Sequence, residues 1–127
     1  MSNENHQTEI NEFQKIKKEE TIKVENLNFL VFKLNAQLEK FEELKIAESD
    51  KLENLLDHDE ILIFIDNLNS RVWIWEGKNT PPRMKFMSAD FAPIIRDQYA
   101  CDYNITTIDD GDEPIEFKMI LGLELEI

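Results

Sequence analysis

The side chains that could do chemistry are few, and most of them are carboxylates. Asp109, Asp110, Asp112 and Glu113 crowd into one five-residue stretch around Gly111. Clustered carboxylates of this kind are what a calcium ion takes, because it wants six to eight oxygens. Their spacing, however, matches no loop that turns its carboxylates inward. The simpler reading is a solvated acidic turn. Cys101, His6 and His58 are the remaining reactive groups. They are too few and too scattered for a transition-metal site, and no spacing among them supports a Cys/His nucleophile–base pair. A lone cysteine is more commonly a packing residue. There is no glycine-rich phosphate loop either, so nothing in the chain points to an enzyme.

Composition narrows the partners. Twenty-seven acidic residues stand against 14 basic ones, leaving a net charge of −13 over 127 residues. Nucleic acid and anionic membrane surfaces are polyanions and would be repelled. A basic protein surface or a cation would be attracted. A single cysteine cannot form an internal disulfide, which suits a reducing compartment. No apolar run approaches the roughly 20 residues that span a bilayer. The N-terminus lacks a basic segment followed by an apolar one, so it does not read as a secretory signal. A cytoplasmic protein without membrane insertion is expected, of a length that fits one domain plus a tail.

The elements follow from hydrophobic pattern. Residues 1–26 are polar; Ile10, Phe13 and Ile16 recur at helical spacing, but the segment offers too little apolar surface to offset its chain entropy. It reads as a flexible tail or a marginal helix, with the domain spanning residues 27–127. Leu27 to Leu34 reads as a largely buried strand. Ala36 to Ile46 is ambiguous, since Leu38, Phe41 and Leu44 fit a helix while Phe41 to Ile46 could pair back as a hairpin. Ser49 to Leu56 suits a short turn pinned by Leu52, Leu55 and Leu56. Ile61–Ile65 is the strongest strand, and Arg71–Glu76 pairs with it across a turn-rich connection. Thr80-Pro81-Pro82 marks a helix start with Thr80 as N-cap. The helix should reach about Tyr99, with a local bend at Pro93. One stripe of it carries Met84, Met87, Phe91 and Ile95. Another carries Phe86, Asp90, Pro93, Ile94 and Asp97. Asn104 to Ile108 is a further strand, followed by the acidic turn.

Taken in order, these pieces resemble one gelsolin-like repeat. The residues that carry the likeness are His58-Asp59 before the strand 61–65, Val72-Trp73-Ile74-Trp75-Glu76-Gly77, the helix from Thr80, and Asp110-Gly111-Asp112-Glu113-Pro114-Ile115-Glu116-Phe117. The resemblance covers about residues 27–121. It implies an α+β fold, a central mixed five-stranded sheet sandwiched between one long and one short helix. It also implies a non-enzymatic module binding actin or an actin-like protein, one that sequesters monomers or caps filaments. The alternative it leaves open is an interaction or scaffold module for another protein, as in vesicle-coat proteins. By the same resemblance Phe86, Asp90, Pro93, Ile94 and Asp97 would face the partner, with Phe86 and Ile94 as anchors for helix-in-groove recognition. Family members bind calcium through an aspartate that Asp59 matches and through a glutamate in the first turn of the long helix. That position falls near Arg83-Met84-Lys85, where there is no carboxylate and two cations repel the ion. The site is therefore expected to be lost or very weak, and no cofactor is expected.

Overall fold

The computed structural model describes residues 29–47 and 49–122. The expected tail over residues 1–26, and the first two residues of the expected strand from Leu27, lie outside them. Five strands form one sheet: β1 (Phe29–Asn35), β2 (Lys40–Leu44), β3 (Ile61–Asp66), β4 (Arg71–Glu76) and β5 (Asn104–Asp109). Their order across the sheet is β2-β1-β3-β4-β5. The first four pair antiparallel, whereas β4 and β5 run parallel. A parallel pair cannot be joined by a hairpin and needs a crossover. Helix α1 (Pro82–Tyr99) provides it, and α2 (Ile115–Ile120) closes the described chain. This is the expected mixed five-stranded sheet with one long and one short helix.

Side-chain alternation sorts the sheet into two cores. Ile61, Ile63, Ile65, Val72, Ile74, Phe32 and Leu34 pack with Met87 and Ala92 of α1. The opposite face carries Leu62, Phe64, Trp73, Trp75, Phe29, Val31 and Ile108, packed with Phe117 and Ile120 of α2 and with Leu52. All six residues of β3 are buried. A strand covered on both faces should read as a continuous apolar run, and this one does. Its last residue, Asp66, is the exception. Its two carboxylate oxygens accept hydrogen bonds from the Leu68 and Asn69 backbone N–H groups, from Asn69 Nδ2 and from Trp73 Nε1. A buried carboxylate is tolerable only when its lone pairs are filled in this way.

The ambiguous stretch after β1 resolves as a hairpin. Leu34 pairs with Phe41 and Val31 with Leu44. The turn contains Glu39 at a φ of 53°, and the Asn35 side-chain oxygen accepts from the Leu38 N–H. Leu52–Leu55 forms a short 3-10 turn with Leu52 buried.

One local expectation is corrected. Thr80 is not the N-cap of α1; Pro81 occupies that place with φ −74° and ψ 160°, and the helix starts at Pro82. The residue before a proline is driven out of the helical region, which holds Pro81 extended. The Thr80 hydroxyl instead donates to the Gly77 carbonyl at 2.7 Å. The helix then runs unbroken through Pro93 to Tyr99. Proline there removes the bond to the carbonyl of Ala89, an exposed residue.

Gly77 fixes where β4 gives way to the loop before α1. Its N–H donates to the Glu60 carbonyl at 2.9 Å, and a Cβ here would lie 2.4 Å from the His58 carbonyl oxygen. No side chain can be accommodated without moving backbone. Gly77→Ala should therefore destabilise the domain by about 3 kcal/mol and lower Tm by roughly 10 °C or more. An unchanged thermal midpoint would show that the His58–Gly77 approach is soft.

Candidate functional site: the outward face of the long helix

The two stripes of α1 separate as their spacing requires. Met87 is buried and Met84, Phe91 and Ile95 are half-buried against the sheet. On the other side, Phe86 is 72% exposed and Ile94 57% exposed. Among the described residues, neither side chain belongs to the core on either face of the sheet. Asp90 and Asp97 are exposed between and beyond them, and Pro93 is half-buried at the margin. The structure thus brings all five stripe residues to one side of α1. Phe86 and Ile94 are two helical turns apart, about 12 Å along the axis.

The ends of this face are charged. Arg83 reaches Glu39 at 3.5 Å, and Arg96 Nε donates to Asp97 at 3.1 Å. No acidic residue lies in the first turn of α1, and Arg96 lies in the last. The C-terminal cation complements the helix dipole, while Arg83 and Lys85 at the N-terminus oppose it. Asp59 lies away from the outward face. Its Oδ1 accepts from Asn79 Nδ2 at 3.0 Å. Among the described residues, no three Asp, Glu, His or Cys side chains converge on a point where a metal ion could sit.

Comparison with solved structures places this architecture. Thorarchaeota ProGel, crystallised in complex with rabbit actin, matches with a TM-score of 0.62 and 26% identity. The match covers 74% of this chain and 99% of ProGel. The chain folds as a single gelsolin-like domain. A second match, Thorarchaeota 2DGel3, likewise solved with rabbit actin, has a TM-score of 0.57 and 21% identity. It covers 72% of this chain and 44% of that one, and it supports the fold alone. No family model and no curated protein matches by sequence. No helix among the described residues is long and apolar enough to cross a membrane.

In this gelsolin-like domain the acidic turn after β5 is a fastening, which corrects the expectation of a solvated turn. The Asp110 side chain is only 9% exposed; its Oδ2 pairs with His58 Nδ1 and accepts the Lys78 N–H at 3.0 Å. Glu113 Oε2 accepts from Trp75 Nε1 and from the Gly111 N–H, both at 2.9 Å. Gly111 takes a φ of 94°, open to glycine and costly for other residues. Pro114 ends the turn and Phe117 enters the core fully buried. Only Asp109 and Asp112 remain open to solvent. The clue in the sequence was the pair of tryptophans, since each buried indole N–H needs an acceptor. The identity of those acceptors was not readable.

These contacts set the acid response. For Asp110, burial alone would raise the pKa, but the hydrogen bonds from Lys78 and His58 and their charges outweigh it and hold the carboxyl below its ordinary value. For Glu113, burial is likewise overcome, here by the Trp75 and backbone hydrogen bonds. Glu76 behaves oppositely: burial raises its pKa, Lys85 partly offsets this, and neighbouring Asp109 adds to it. A depressed carboxylate contributes stability that is fully present above the unfolded value, about 4, and is lost as pH falls through the folded value. Glu76 contributes in the other sense, favouring the fold at low pH and losing that contribution as pH rises through its raised value. Urea unfolding should therefore show a midpoint that holds from neutral pH to about pH 5 and falls below about pH 4. Asp110→Asn should be less stable than wild type at pH 7, and the two curves should converge in acid. Parallel curves at all pH values would show that the Asp110 fastening carries no linkage.

Proposed function

We propose that this gelsolin-like domain is a non-enzymatic, cytoplasmic binding module. Through the outward face of α1 it engages actin or an actin-like protein, and by sequestering monomers or capping filaments it adjusts assembly. The observation that carries the reading is the exposure of Phe86 and Ile94 at two-turn spacing on one helix. A pair of apolar anchors on one helix face is the signature of helix-in-groove recognition. Support comes from ProGel, which matches over nearly its whole length and was crystallised with actin. Binding is expected to be independent of calcium, because Arg83 and Lys85 stand in the first turn of α1 where a carboxylate ligand would be needed.

The test is co-sedimentation and fluorescence-monitored polymerisation with actin, each with and without calcium. Wild type should alter polymerisation equally in both conditions. Phe86→Asp and Ile94→Asp should each weaken binding about thirtyfold, the loss expected for a central anchor. Both should melt like wild type, since neither residue packs against the sheet. A rise in steady-state monomer proportional to added domain would mark sequestration. Slowed elongation at substoichiometric amounts would mark capping. No effect of wild type in either condition would redirect the reading to an interaction or scaffold module of this fold with a non-actin partner.

A further inference from the structure

We infer that Asp90 selects the partner, by recognising an arginine or lysine that the partner's cleft presents between the pockets for Phe86 and Ile94. The inference rests on the proposed use of the outward face of α1, and it adds the chemistry that the occupied cleft must have.

Asp90 sits one turn after Phe86 and one turn before Ile94. Residues four apart on a helix are neighbours, with Cβ atoms about 5–6 Å apart. Any cleft that swallows both anchors must therefore also cover Asp90. Among the described residues nothing pairs with this carboxylate. The positions three and four residues away on either side are Phe86, Met87, Pro93 and Ile94, all apolar. Among the described residues Asp90 makes no hydrogen bond and no ion pair. Of the cations of α1, Arg83 pairs with Glu39, Arg96 with Asp97, and Lys85 acts on Glu76.

An aspartate has one methylene and cannot reach past the rim of a groove as a long side chain does. Its charge is buried with the anchors. An unpaired carboxylate removed from water is strongly unfavourable, whereas one met by a guanidinium or ammonium is satisfied by a charge-assisted hydrogen bond. The face thus discriminates by sign: a cleft with a cation at its centre is accepted, and a purely apolar or acidic one is rejected. Asp90 is a poor choice on any other ground. At this exposed mid-helix position it lowers helix propensity relative to alanine, and it adds to a net charge already at −13.

The experiment measures Kd for monomeric rabbit actin, the protein with which ProGel was crystallised, for wild type, Asp90→Ala, Asp90→Lys and Phe86→Asp, at low and high salt. Phe86→Asp reports on the helix-in-groove reading alone. If the inference holds, Asp90→Ala binds at least tenfold more weakly than wild type, with a shallower salt dependence, and Asp90→Lys does not bind measurably. If the cleft is apolar at this point, Asp90→Ala binds as tightly as wild type or tighter. That result overturns the inference while loss in Phe86→Asp keeps the reading. Failure of wild type to bind overturns both together. Thermal melts guard against misfolding, and the exposed position of Asp90 predicts melts like wild type or slightly higher for Asp90→Ala.

Discussion

The fold depends on two indole N–H groups that had to be satisfied inside a core. Trp73 and Trp75 lie on the same face of β4, almost fully buried, and each donates to a carboxylate from a different part of the chain. Trp73 reaches Asp66 across the β3–β4 hairpin, and Trp75 reaches Glu113 beyond β5. A buried donor left without a partner costs about 1–3 kcal/mol, so each contact also enforces a register. Asp66 pins the turn end of the hairpin, and Glu113 pins the loop that launches α2. Phe117 of α2 then stacks edge-on against both Phe64 and Trp73. With one face of β4 locked in this way, Val72 and Ile74 can only point to the other, where they form the bed for α1.

What could be read from the sequence divides along the range of the interactions. β3 was legible because burial on both faces leaves an unbroken apolar run, and α1 because its two stripes keep helical period over 18 residues. The β1–β2 hairpin was not decidable, since Leu38, Phe41 and Leu44 satisfy a helix as well as a strand. Leu38 turned out to sit exposed in the turn rather than on a buried face. The acidic turn was misjudged for a different reason. Its carboxylates look free when only neighbours are considered, and the partners that bury them come from far away in sequence: His58 is 52 residues from Asp110, and Trp75 is 38 from Glu113. Thr80 failed as a cap because two consecutive prolines moved the helix start by steric exclusion, a short-range effect that the preference for threonine at helix starts does not include.

The outward stripe of α1 was legible as a stripe but not as a surface. Spacing placed Phe86 and Ile94 on one side of the helix, yet a wide core face would have buried them with identical spacing. Only the packing of Met87 and Ala92 against β3 and β4 shows that the core ends before it reaches them.

The fastening contacts and the proposed recognition face consequently belong to different elements. The polar groups that fasten the domain, Asp66, Asp110 and Glu113, belong to the β3–β4 turn and the loop after β5, while the stripe on α1 contributes almost nothing to the monomer's packing. The crossover between two parallel strands sets the helix axis, and the inner stripe sets its rotation. The outer side chains are thus presented in a fixed geometry before any partner arrives. Pre-organisation of this kind reduces the ordering cost of association, and two anchors can then do what a flexible segment would need more contacts to do. It also removes stability as an explanation for what stands on that face. On the proposed reading, a carboxylate between two exposed apolar side chains, with no cation among the described residues paired to it, is accounted for by what the helix meets.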